Sequence, residues 1–221
     1  MKRLVIILAF GLFLGFVSCE NNPKEKQTAK KDDKDVKVSY IYQKDKTSNT
    51  IRKKGAAIAI QTQVELGKAL KAAMEKGGPE NAIEFCNLEA LRITDSIAST
   101  EQVIVRRLAK KNRNPKNEMD EVESKIFKQY IFDYLNKRPL DPRIALNSEG
   151  NPVYYKPIIT NNMCLTCHGT PGSTMSKELA GKIREIYPDD KAINFEDGQP
   201  RGMWAITFNK INVNPEGIAK D

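Results

Sequence analysis

Met163-Cys164-Leu165-Thr166-Cys167-His168-Gly169 is the one stretch of this 221-residue chain where thiols and an imidazole meet. The chain has four cysteines and a single histidine, and this stretch holds two of the cysteines and that histidine. Cys-x-x-Cys-His is the spacing at which a c-type haem attaches covalently. Two intervening residues let both thiols reach the two vinyl groups of one porphyrin, and the adjacent imidazole is held under the iron as a proximal ligand. Two other readings compete for the same residues. A structural zinc site would gather Cys86, Cys164, Cys167 and His168, yet Cys167 and His168 are sequence neighbours, and structural zinc ligands are usually spaced by two or more residues. A Cys164–Cys167 disulfide or redox dithiol leaves His168 without a role. One covalent haem c, held by Cys164, Cys167 and His168, uses all three residues.

With His168 on one axial position, no second histidine remains for the other. The candidates are Cys86, the methionines Met74, Met119, Met163, Met175 and Met203, a lysine, water, or nothing. Cys86 leads, because an unpaired cysteine in an exported chain is unusual and its helical face is apolar. Its alternative reading is a small buried hydrophobe. The same count argues against a peroxidase, since no distal imidazole is left for acid–base work. The chain is therefore read as a binding protein and not an enzyme.

The elements that must position these residues follow from hydrophobic periodicity. Between Thr50 and Glu75, Ile58, Ile60, Val64, Leu66, Ala69, Leu70, Ala73 and Met74 recur at three- and four-residue steps, and Gly77-Gly78-Pro79 ends the pattern. A second helix after Pro79 sets Ala82, Ile83, Cys86, Ala90 and Ile93 on one face. A short strand is expected around Val103 and Val105, then a loop about Pro115. Met119, Val122, Ile126, Tyr130 and Tyr134 mark another helix, which Pro139 and Pro142 stop. Ile144–Leu146 and Val153–Ile159 flank Ser148-Glu149-Gly150-Asn151 as a hairpin. A short helix over Ser176–Ile186 and a strand over Gly202–Phe208 complete an α+β order without internal repeats.

Composition fits one medium domain, with 40% hydrophobic and 29% charged residues and a mean hydropathy of −0.52. These values exclude collagen-like, wholly disordered and polytopic membrane classes. Lys2 and Arg3 precede an apolar run from Leu4 to Val17, the charge order of an export signal and too short to span a bilayer comfortably. The run ends Leu14-Gly15-Phe16-Val17-Ser18-Cys19, which resembles a lipobox and makes Cys19 the expected lipid-bearing residue. Acyl chains there would hold an exported bacterial lipoprotein to a membrane surface, facing the periplasm or cell surface. Glu20–Asp35 carries five acids and five lysines and no large apolar side chain, so it reads as a solvated tether. The interleaved acids also argue against nucleic-acid binding despite a net charge of +8. The expected organisation is a signal peptide over 1–18, lipid attachment and tether over 19–49, and a haem-binding domain over 50–221.

From Ile58 to Phe208 the chain resembles the single-haem c-type cytochromes with a PAS-like sensor fold, a family long filed as a domain of unknown function. The residues that carry the resemblance are Ala82-Ile83-Glu84-Phe85-Cys86, Arg106-Arg107, Arg113-Asn114-Pro115-Lys116-Asn117, Cys164 to Gly169, Tyr187-Pro188-Asp189-Asp190-Lys191-Ala192 and Asp197-Gly198-Gln199-Pro200-Arg201-Gly202. The resemblance implies a PAS-like antiparallel sheet flanked by helices, and a distal cysteine ligand at Cys86. Arg106, Arg107 and Arg113 are candidates to pair with haem propionates, because a planar guanidinium binds carboxylates two bonds at a time; for each alone, ordinary surface charge is the competing reading. Asn114 and Pro115 are read as turn formers. Tyr154, Tyr155 and Trp204 either wall the haem or pack the core.

A thiolate opposite histidine favours ferric iron, and reduction weakens the iron's hold on sulfur. Loss of Cys86 would then open a site for a small diatomic gas. The expected function is thus redox or small-gas sensing with a separate signalling or redox partner. The alternative is an electron-transfer cytochrome c shuttling electrons between exported partners.

Overall fold

The computed structural model describes residues 36–42 and 45–209. The expected signal peptide, Cys19 and most of the tether lie outside the described residues. The first helix, α1 (Lys46–Glu101), starts behind Asp45, whose side chain accepts the Ser48 N–H at 2.6 Å. It contains both helices expected from the sequence, joined at a break. Gly77 and Gly78 leave helical geometry there, and Gly78 takes a φ of +70° that side-chain-bearing residues rarely adopt. Pro79, which has no N–H to offer, opens the second arm, and the Asn81 side chain donates across the break to the Ala73 carbonyl at 2.8 Å.

Strand β1 (Ile104–Leu108) follows, then a single 3-10 turn at Pro115–Asn117 capped by the Asn114 side chain, the turn-forming role expected of it. Helix α2 (Glu121–Leu135) opens with a capping box in which Asp120 and Glu123 satisfy each other's backbone N–H groups at 2.8 and 2.9 Å. Strands β2 (Arg143–Leu146) and β3 (Pro152–Ile159) form the expected hairpin. Two short helices, α3 (Asn162–His168) and α4 (Lys177–Ile186), precede the last strand, β4 (Pro200–Thr207).

The sheet order is β1-β4-β3-β2 and every pairing is antiparallel. Alternation along the strands divides the core between two faces. Val105, Ile144, Tyr154, Trp204 and Ile206 pack beneath Ile51, Ile58, Ala59 and Ile97 of α1. Leu108, Ala145, Val153, Tyr155, Met203 and Ala205 meet Ile126, Phe127 and Tyr130 of α2. This is the α+β, PAS-like arrangement of an antiparallel sheet flanked by helices. A third cluster, Ile83 of α1 with Met175, Leu179, Ala180 and Ile183 around α4, lies beside Cys167.

The folded part begins before residue 50. Ser39 accepts from the Leu146 N–H and Ile41 donates to the Ile144 carbonyl, both at 2.9 Å, so residues 39–41 lie along β2. Val38 and Tyr40 pack on the α2 side and Ile41 on the α1 side.

Candidate haem site

Helix α3 presents the Cys-x-x-Cys-His residues. Asn161 caps it, its Oδ1 accepting from the Cys164 N–H at 3.1 Å and from the Cys164 thiol at 3.2 Å. Gly169 ends it by donating to the Leu165 carbonyl at 2.8 Å. Residues three apart on a helix share a side, so Cys164 and Cys167 lie on one face, both as free thiols. The short helix was not foreseen from the sequence.

His168 is held twice by the segment after α4. Its backbone carbonyl accepts the Phe195 N–H at 3.0 Å, and its ring Nδ1 lies 2.8 Å from the Ala192 carbonyl. A carbonyl only accepts, so Nδ1 carries the proton and Nε2 keeps the lone pair a metal needs. Desolvation, then the charges of Arg201 and Arg113, hold the imidazole pKa well below its ordinary value. The neutral ring is the form that ligates.

Arg113 reaches in from the loop after β1. Its Nη2 donates to the Cys167 carbonyl at 2.6 Å and to Asp190 Oδ2 at 3.1 Å, with the Ala192 carbonyl at 3.4 Å. Arg201 enters from β4, over the Phe195 ring at 5.1 Å, and that ring stands edge-on to His168 at 6.3 Å. Desolvation, followed by the charges of Arg107 and Arg113, pushes the Arg201 pKa down to about 9.

Cys86 arrives from the second arm of α1, half-buried. Burial raises its thiol pKa, opposed by the charges of Arg107 and Arg113. The Cys167 thiol is likewise raised by burial, opposed by Arg113 and reinforced by Cys86, so two cysteines distant in sequence stand within electrostatic reach. Arg107 is desolvated beside Cys86, and the thiol's charge is the largest influence opposing that desolvation. The fold thus brings Cys86, Arg107, Arg113, Cys164, Cys167 and His168 together.

Other candidates go elsewhere. Arg106 lies on the α2 side, bound to Glu123 at 2.7 Å and to the Glu118 carbonyl at 2.9 Å, and so is not a propionate partner. Met119 and Met203 are buried in the α2 face of the core, while Met163 is exposed on α3. Met175 packs in the cluster beside Cys167. Tyr154 and Tyr155 are core residues on opposite faces of the sheet. Among the described residues, no three or more His, Cys, Asp or Glu side chains are grouped as metal ligands.

Sequence reading missed Arg201, Asp190 and the Ala192 carbonyl as parts of the site. The first two stand in stretches already noted for resemblance, but nothing local says they converge. A backbone carbonyl leaves no mark in a sequence.

The donor set can be tested against a haem. Arg113 Nε, Arg201 Nε and Trp204 Nε1 are buried and meet no acceptor. Three mutually repelling guanidinium groups, Arg107, Arg113 and Arg201, gather here, and Asp190 is the carboxylate beside Arg113 and Arg201. A buried cluster of this kind calls for further anionic acceptors, and two propionates match that need. With two thiols on one helical face, a lone-pair nitrogen beside them and a third thiol in reach, the residues fit the group.

The fold and the site define an α+β protein of PAS-like architecture in which, among the described residues, three cysteines and the histidine are gathered at one point. The chain belongs to the Tll0287-like family, whose model matches residues 24–209. Its fold is similar to that in the crystal structure of the cyanobacterial heme-protein Tll0287, with a TM-score of 0.53 and 21% identity over 71% of this chain and 96% of that one. No curated protein matches the chain.

Proposed function

We propose that this protein binds one covalent c-type haem through Cys164 and Cys167, with His168 as proximal and Cys86 as distal ligand, and works in redox or small-gas sensing. Membership of the Tll0287-like family and likeness to a haem protein support haem binding. The observation that carries the reading is the His168 Nδ1–Ala192 carbonyl contact at 2.8 Å, which leaves Nε2 available beside two free thiols. When bound, the haem supplies a one-electron couple and an axial position for a diatomic gas.

The chain's residues have separate tasks. Cys164 and Cys167 bind covalently. His168 ligates in its neutral form, and Arg107, Arg113 and Arg201 neutralise the propionates. Cys86 sits on the arm of α1 that follows the Gly77-Gly78 break, so its release changes what holds that arm. The leader and Cys19 would deliver the domain to the outer side of a membrane as a lipoprotein, where a signalling partner reads it. No catalytic role is assigned.

The test is production of the full chain in a host with haem-attachment machinery. The expected result is a mass increase of one haem, a pyridine haemochrome of c type, and a reduced spectrum that carbon monoxide changes. An unmodified mass sinks the reading. A loaded protein whose spectrum ignores carbon monoxide and whose reduction is fast and reversible favours the electron carrier.

A further inference from the structure

The carboxylate of Asp190 is buried, its side chain only 4% exposed, and both of its oxygens are engaged. Oδ1 accepts the Ala192 N–H at 2.8 Å, and Oδ2 accepts from Arg113 Nη2 at 3.1 Å. The other side of the same Ala192 peptide segment presents its carbonyl to His168 Nδ1 at 2.8 Å. Arg113, through the same Nη2, also ties the Cys167 carbonyl at 2.6 Å, one residue before the histidine. A closed circuit results: Asp190 fixes Ala192, Ala192 fixes the ring, and Arg113 fixes both Asp190 and the helix that carries the ring.

A free imidazole exchanges its proton between two nitrogens, and the nitrogen that keeps it is set by the partner the ring meets. At this site the partner is a backbone carbonyl whose direction depends on a three-residue turn, Asp190-Lys191-Ala192. That turn has two further anchors, the Lys191 N–H on the Asn112 carbonyl and the Asp190 N–H on the Tyr187 carbonyl, both at 3.0 Å. Neither orients the Ala192 carbonyl itself, which besides the His168 ring meets Arg113 Nη2 at 3.4 Å. Only the Asp190 side chain reaches the Ala192 N–H.

We propose that Asp190, braced by Arg113, is a positioning residue that selects the Nδ1–H tautomer of His168 and keeps Nε2 free for ligation. The clamp rests on geometry within the protein, and its purpose rests on the functional reading above. It extends that reading to outer partners, which orient a ligating histidine and tune its donor strength.

The chain's single histidine makes the test direct, because selective ¹⁵N labelling of histidine reports one ring. In the folded wild-type protein the Nδ1–H tautomer should dominate, with a slowly exchanging ring proton. Asp190→Ala should move the tautomer balance several-fold toward Nε2–H, with circular dichroism unchanged. A folded Asp190→Ala protein with the wild-type tautomer balance overturns the proposal. Should that variant not fold, Asp190→Asn keeps an oxygen for the Ala192 N–H while losing the charge that faces Arg113. Faster exchange of the Nδ1 proton in it supports the clamp, and wild-type exchange overturns it. In the haem-loaded protein, Asp190→Asn should raise the midpoint potential, since a less firmly held Nδ1 proton makes a weaker donor; an unmoved potential counts against the clamp. If the wild type takes no haem, the functional reading fails, and the ring-proton measurement still judges the clamp.

Discussion

Gly55 of α1 lies flat against the ring of Tyr154 in β3, so close that a Cβ on Gly55 would stand 2.4 Å from the Tyr154 Cγ. The helix can settle on the sheet only because nothing projects there. Gly55→Ala should therefore lower stability by about 1–3 kcal/mol through overpacking, read as a lower urea midpoint at constant slope.

The capping box at the start of α2 gives a second test. Asp120→Ala removes the acceptor for the Glu123 N–H and should reduce stability by about 1 kcal/mol. Glu123 is also bound to Arg106, so the Asp120→Ala and Glu123→Gln losses should fall short of additivity in a double-mutant cycle.

How much of this was readable beforehand divides along physical lines. Periodicity found both arms of α1, α2, α4 and the β2–β3 hairpin, because each is a local pattern of burial. Sheet order was not readable, since β4 reaches its place between β1 and β3 through contacts far apart in sequence. Residues 36–42 alternate Val36, Val38, Tyr40 and Tyr42, a pattern that suits their lying along β2 through the Tyr40–Ala145 bridge, but the charged stretch before them drew them into the tether. At the site, the thiols and His168 stand out by residue type and spacing, whereas Arg107 and Arg113 entered as candidates through the family resemblance. Arg201 and Asp190 did neither, because their value comes from convergence. Arg106 misled for the opposite reason: one residue of β1 faces Cys86 and its neighbour faces α2.

For ligation, Cys86→Ala should leave the haem attached through Cys164 and Cys167 while changing the oxidised absorption spectrum and raising the midpoint potential. An oxidised spectrum identical to wild type would remove Cys86 as a ligand.

The depressed Arg201 pKa sets a pH dependence in protein made without haem. Desolvation and the charges of Arg107 and Arg113 depress the Arg201 pKa to about 9 in the folded state, below its ordinary value in the unfolded chain. Between those values the unfolded state binds more protons, so stability attributable to this group rises with pH through that window and is lost as pH falls through about 9. The melting-temperature difference between wild type and Arg201→Gln should shift in favour of wild type from about pH 8 to about pH 10.5, with tyrosine and lysine titration cancelling between the two. Haem loading should flatten the difference, because propionates supply the missing negative charge.

The central position of β4 has a consequence for biogenesis. The strand that joins β1 to β3 is the last element of the described chain, and α3 precedes it. As the polypeptide emerges amino end first, Cys164 and Cys167 appear while the middle of the sheet is still missing. On the proposal of a covalent haem, these sulfurs would be open to attachment before the final strand closes the sheet.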